Sequence, residues 1–177
     1  MFLKILIKKL KSDLMGYTRY WEIKGDLYPE KFKTYSETCK IVCVEWEKAQ
    51  IEYYLSEGNS LELAEHKSKI CGWDGRGEPL FCDREISFNG SISDDDELSD
   101  LSHETFCISL ISREFNFCKT ARKPYDSYVF ICLFLAKQIF GEQIEVRWDG
   151  SNNEELVEPF IKSFLRDRNI DSIFSNN

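Results

Sequence analysis

Apolar and polar residues alternate through YTRYWEIK, residues 17–24, and the run is rich in aromatic side chains, which predicts a strand. Gly25 and Asp26 interrupt it. Pro29 then stands where the first turn of a helix accepts proline. Phe32, Tyr35, Cys39, Val42, Cys43 and Trp46 recur at three- and four-residue steps, so a long helix ending between Gln50 and Leu55 turns one stripe to a core. A short helix over 60–68 follows. CGWDGRGEP, residues 71–79, holds three glycines and a proline and reads as a shaped loop. EISFNG (85–90) predicts a strand closed by an Asn-Gly turn, and HETFCISLI (103–111) its hairpin partner. The acidic run between them, SISDDDELSD, is a solvated loop. Pro124 suits a first helical position, Asp126 falls in the first turn, and YVFICLFLAKQIF is apolar nearly all round, which predicts a helix buried on most sides. Gly141 ends that helix, QIEVRW forms a strand, and an amphipathic helix over 153–167 closes the pattern.

The order strand, helix, strand, strand, helix, strand, with a terminal helix, predicts an α+β domain of the ferredoxin-like (split βαβ) type with an added C-terminal helix. The expected organisation is a single domain over 15–170, a tail over 171–177, and an N-terminal extension over 1–14. In that extension Leu3, Leu6, Ile7, Leu10 and Leu14 line one helical face between lysines. It is too short and too charged for a spanning helix or a signal-peptide core, and reads as a short amphipathic helix packed on the domain or as an extension upstream of a more usual start at Met15. A basic helix lying on a membrane or a partner is the other reading of that pattern.

Composition narrows the function classes. The chain has 177 residues and a formal net charge of −8, which argues against long DNA or RNA because a phosphate backbone would be repelled. A small anionic ligand in a local basic pocket, or a basic protein partner, remains compatible, as does a homo-oligomer. Seven cysteines without a CxxC pair read as free thiols, and the expected location is the cytoplasm.

Against that acidic background, FCKTARKPYD gathers Lys119, Arg122 and Lys123 just ahead of Pro124. A helix start offers unpaired N–H groups and partial positive charge, so Lys119, Thr120, Arg122 and Lys123 predict a local anion site there. The alternative is that these cations merely offset neighbouring carboxylates. Aromatic residues near strand and loop ends, Tyr17, Tyr20, Trp21, Trp73, Phe117 and Tyr125, supply faces on which a base can stack, although core packing explains most such residues. On the first strand Tyr17, Arg19 and Trp21 share one face, and an exposed aromatic–arginine face would favour ligand binding. Asp74 and Arg76 in GWDGRG add polar groups to a glycine turn that is neither a Walker loop nor a dinucleotide fingerprint.

MGYTRYWEIKG (15–25), GWDGRGEP (72–79), FNG (88–90), HETF (103–106), FNFCKTARKPYD (115–126) and DG (149–150) resemble an uncharacterised family of small phage and bacterial proteins that usually open Met-Gly-Tyr-Thr-His-Tyr-Trp. The resemblance implies that these blocks occur together and implies no activity. Arg19 stands where that pattern has a His, and VRWDG replaces a more hydroxyl-rich run. If the His does acid–base work in that family, this chain lacks it.

Chemistry beyond binding is weakly signalled. Cys118 among cations, with His103 as base, is the one nucleophile arrangement, and a buried structural thiol explains it as well. His66, Cys71, Cys82, His103 and Cys107 lack paired metal-ligand spacing, and Glu104, Asp126 and Asp149 form no demanded carboxylate cluster. No catalytic residue, metal or cofactor is therefore assigned. The expected function is binding of a phosphate-bearing small ligand, a nucleotide or nucleotide signal above all, through Tyr17, Arg19, Trp21, Trp73, Asp74, Lys119, Thr120, Arg122, Lys123 and Tyr125. The alternative is an acidic interaction or inhibitor module that masks a basic partner.

Overall fold

The computed structural model describes residues 17–94, 98–111, 115–149 and 154–168. The expectations for 1–14 and 171–177 lie outside the described residues. The fold is α+β, with four helices and two antiparallel sheets. Strand β1 (Thr18–Ile23) forms where the alternation predicts it, and helix α1 (Pro29–Ser56) carries Pro29 in its first turn. The stripe Phe32, Tyr35, Cys39, Val42, Cys43 and Trp46 is wholly buried. Helix α2 (Leu61–Ser68) starts at Ser60, whose hydroxyl accepts from the Leu63 N–H.

Strands β2 (Ile70–Cys71), β3 (Leu80–Phe81), β4 (Glu85–Gly90) and β5 (Phe106–Ser109) build one sheet around β4. The β4–β5 hairpin pairs Glu85 with Ser109 and Phe88 with Phe106. Asn89-Gly90 is not the turn that the dipeptide predicts. The strand runs through it, and Ile70 and Cys71 pair with Gly90 and Asn89. Glycine is required there by close packing, since a Cβ at Gly90 would collide with the Leu101 carbonyl oxygen. The long HETFCISLI strand is shortened for a related reason: Asn89 clamps the backbone of His103 outside the ladder.

The second sheet has the order β6-β1-β7, from β6 (Phe115–Lys119) and β7 (Ile144–Trp148). Strand β6 is absent from the sequence reading, because two of its apolar residues face outward and hide the usual half-buried signature. It takes the place beside β1, pairing Arg19 with Cys118 and Tyr20 with Phe117. On the other side Tyr20 pairs with Arg147. Every described pair is antiparallel and the β4–β5 hairpin belongs to the other sheet, so no split βαβ unit is evident.

Helix α3 (Asp126–Phe140) is the apolar helix, and it packs on α1, β1 and β7. It starts two residues after Pro124 and stops at Gly141, whose φ of 56° is in the left-handed region. A 3-10 turn (Gly141–Gln143) leads to β7, and α4 (Glu154–Asp167) packs on α3 through the buried Val157, Ile161 and Leu165. Hydrogen bonds lock α1 to the start of α3: the Trp46 indole (2.8 Å) and the Gln50 amide (3.0 Å) both donate to the Ser127 hydroxyl. None of the described helices is long and apolar enough to cross a membrane.

Candidate functional site

The junction ahead of α3 is built around a carboxylate of the chain itself. Asp126, at the helix start, accepts from Arg19 Nε (2.9 Å) and Nη2 (2.7 Å) in a two-pronged pair, and from the Thr120 hydroxyl (2.7 Å). Arg19 is 0% exposed. The helix end thus holds an anion as its dipole favours, and that anion is Asp126.

Packing orders the charges around this pair. The Arg19 guanidinium lies between the rings of Phe130 (5.0 Å) and Tyr17 (4.9 Å), and Arg122 lies over the same Tyr17 ring (5.5 Å). The stack Phe130–Arg19–Tyr17–Arg122 runs from the core to the exposed Arg122. A tight turn delivers it. Ala121 and Arg122 have φ of 49° and 59°, and the Lys123 N–H closes the turn on the Thr120 carbonyl (2.9 Å). Two successive non-glycine residues in that region are strained by about 1–2 kcal/mol each. The Thr120 N–H (3.0 Å) and Ala121 N–H (3.4 Å) both donate to the Tyr17 carbonyl, which holds the turn against the first strand.

The residues expected to form the site part company here. Tyr17, Arg19 and Trp21 are buried on the face of β1 that meets α3, so the exposed aromatic–arginine face does not exist. Thr120 and Tyr125 are buried as well, the Tyr125 hydroxyl donating to the Glu104 carbonyl (2.7 Å). Lys123 is turned inward along the surface, its ammonium donating to the Asp100 carbonyl (2.6 Å). Lys119 is exposed, while its backbone N–H is fixed by the Glu104 carboxylate (2.6 Å). Trp73 is 72% exposed, and its carbonyl accepts from the Thr105 hydroxyl (2.6 Å). Asp74 caps its own loop by accepting from the Arg76 N–H (3.1 Å), and Arg76 grips Asp94 with two hydrogen bonds.

Cys118 and the carboxylates also read differently in three dimensions. Burial pushes the Cys118 thiol up to about 12, the reverse of what its cationic sequence neighbours suggest. The thiol donates to the Glu104 carbonyl (3.3 Å), and burial likewise raises the Tyr125 phenol beside it. Asp149 accepts from the Tyr20 hydroxyl (2.7 Å), far from the Arg19–Asp126 pair in role. Among the described residues no group of three or more His, Cys, Asp or Glu side chains is gathered for a metal ion.

The blocks that stand apart in sequence nevertheless meet. Asn89 of FNG joins His103 and Thr105 of HETF, Thr105 joins Trp73 of the glycine loop, and Glu104 joins Lys119 and Tyr125. FNFCKTARKPYD joins MGYTRYW through Arg19–Asp126, and Tyr20 joins the final Asp-Gly block through Asp149. This is a structural mesh, buried at Arg19–Asp126 and reaching the surface at Thr105–Trp73, Lys119–Glu104 and Tyr20–Asp149.

The surface chemistry lies on the other face of the same sheet. Phe115 is 60% exposed and Phe117 54% exposed, and Lys119 follows them at the same two-residue step. Tyr20 lies beside them, stacked on Phe115 with ring centroids 5.8 Å apart. Phe115 was absent from the sequence-predicted set, and only a strand assignment for FNFCK would have placed it with Phe117 and Lys119. Among the described residues of this face Lys24 and Arg147 are both paired with Glu145, while Lys119 stands at the other end, where the Glu104 carboxylate accepts from its backbone N–H. No protein-family model matches the chain, and neither a curated protein nor a solved structure does.

Proposed function

We propose that this chain binds a small phosphate-bearing ligand, a nucleotide being the concrete case, on the open face of the β6-β1-β7 sheet. A protein that sequesters a nucleotide signal is one form this takes. The observation that carries the reading is the row Phe115, Phe117, Lys119, two exposed rings and an exposed ammonium on one face of one strand. Stacking a base on such a ring is worth about 1–3 kcal/mol, and a neighbouring ammonium offers a point charge to phosphate. Arg122, exposed on the strained turn that follows, adds a second cation close in sequence.

Thermal unfolding of the full chain with ATP, AMP or inorganic phosphate tests this. Both nucleotides raise Tm, inorganic phosphate does so less, and Lys119→Ala with Phe117→Ala abolishes the nucleotide shift. An unchanged shift in that double variant would overturn the reading.

A second reading has its own support. Ile111, Phe115 and Phe117 are exposed apolar side chains on a chain of net charge −8, the pairing of features expected of an acidic module that covers a basic partner. Capture of such a partner at low salt and its loss at high salt separates this reading from the first.

A further inference from the structure

We infer that the ligand of the open sheet face carries two bases joined through a phosphodiester, with a phosphate at the Lys119 end; this rests on the nucleotide reading above. Three features of the face lead there. Residues two apart on a strand are about 6.6–6.8 Å apart, whereas directly stacked bases are about 3.4 Å apart. Phe115 and Phe117 therefore suit two bases of an extended backbone, one to each ring, better than one compact stack.

The rings are also not equivalent. Tyr20 is the cross-strand neighbour of Phe117 yet stacks on Phe115 with an interplanar angle of 24°. Phe115 is backed by Tyr20, which stacks on it and steadies its ring as one platform, and Phe117 makes a second beside Lys119. Two platforms at this spacing match two bases.

Charge then sets direction and length. Lys119 marks the phosphate end. At the other end Glu22 is exposed and pairs across the strands with both Phe115 and Glu145. Lys24 and Arg147 are tied to Glu145 at that end, so among the described residues a longer strand meets no uncommitted cation beyond the second base, and Glu22 adds a negative charge there. With one or two cations engaged, the dependence of log K on log salt has a slope of about −0.7 per phosphate neutralised, far shallower than that of a long-strand binder.

The experiment is calorimetric titration of the full chain with AMP, with the 5′-phosphorylated dinucleotide pApA, and with a ten-residue oligoadenylate. The second base strengthens binding by about 5- to 150-fold, the equivalent of 1–3 kcal/mol. Phe115→Ala removes the advantage of pApA over AMP, so that the two bind this variant alike, and to the unsubstituted chain the decamer binds no more than twofold tighter per site than pApA. Phe115 is exposed, so retention of the wild-type Tm checks that this variant folds. If AMP binds and pApA binds no tighter, the two-base inference fails while the nucleotide reading stands. A decamer that binds tenfold tighter than pApA overturns the length limit and with it the inference. If neither AMP nor pApA binds, the nucleotide reading fails and takes this inference with it.

Discussion

The two faces of the β6-β1-β7 sheet invert the usual assignment of residue types. The inner face buries an arginine completely, and the outer face leaves two phenylalanines more than half exposed. Strand β1 shows the contrast in adjacent residues, with Arg19 sealed against α3 and Tyr20 reaching solvent beside Phe115. A charge is tolerated inside because its partner is ideal in geometry: two hydrogen bonds to Asp126, with a third to the same carboxylate from Thr120. Apolar rings outside have no comparable structural excuse, since scattered exposed apolar residues are ordinary but an adjoining pair with a third ring stacked on it is a patch. The inner face is where the chain spends its charge on itself; the outer face is where it has chemistry left over.

The sharpest way to break this contrast is to remove one half of the buried pair. Asp126→Ala strands the Arg19 guanidinium and destabilises the fold by about 3–5 kcal/mol, read by urea denaturation. Arg19→Met with Asp126→Leu recovers most of that loss, because replacing a whole buried pair by apolar groups is close to neutral. Recovery identifies the pair as a device of packing. Failure of the double variant to recover would mean that Thr120 and the turn depend on the carboxylate in their own right.

Cys118 tests the same strand from inside. It alternates with Phe117 and Lys119 but points to the core, and its thiol is held up to about 12. An unfolded thiol titrates near about 8.5. The sign follows: below about pH 8.5 both states keep the proton and the contribution is intact. As pH rises, the unfolded chain loses its proton first, so stability falls by up to about 1.4 kcal/mol per pH unit until the folded thiol titrates too. Cys118→Ala lacks this share of the alkaline slope. In labelling at neutral pH, the exposed Cys107 reacts well before Cys118; fast labelling of Cys118 in the folded protein would refute the burial argument.

How much of this was readable beforehand depends on which face a residue took. Periodicity locates β1, α1 and α4 because each presents a regular buried face, and a run that is apolar nearly all round locates α3. It also locates the K-T-A-R-K junction as unusual. It fails for β6, because FNFCK puts its large apolar residues outward and a small thiol inward, so alternation alone assigns the faces backwards. Without β6 one of the two partners of β1 is missing, and the single ferredoxin-like sheet becomes the simplest arrangement of what remains. Arg19 fails for the mirror-image reason. Its partner lies 107 residues away, and nothing local announces that a charged residue will be buried. Asn89-Gly90 has the letters of a hairpin turn, yet its glycine answers a steric demand made by Leu101.

The strained turn between the faces sharpens the picture at smaller scale. Ala121 has φ of 49°, and a Cβ there is the penalty that glycine avoids. Ala121→Gly gains about 1 kcal/mol in the folded state and gives part of it back through the greater entropy of the unfolded chain, leaving a net stabilisation of a few tenths of a kcal/mol. A rise in Tm with unaltered nucleotide shifts would show that the strain is incidental. A rise in Tm with weakened shifts would show that the rigid display of Arg122 serves the ligand.

The smallest expected effect on stability is the most telling for function. Phe115→Ser and Phe117→Ser remove rings that are mostly in water already, so each changes unfolding free energy by no more than about 0.5 kcal/mol. Substitution of a core ring such as Phe88 or Phe106, both fully buried, costs about 3–5 kcal/mol by comparison. A phenylalanine that can be removed without structural loss is kept at the surface for some other reason, and lost nucleotide binding in the same variants identifies that reason. Should Phe117→Ser instead lower Tm by many degrees, the outer face is covered in the folded protein, and the contrast between the two faces of this sheet dissolves.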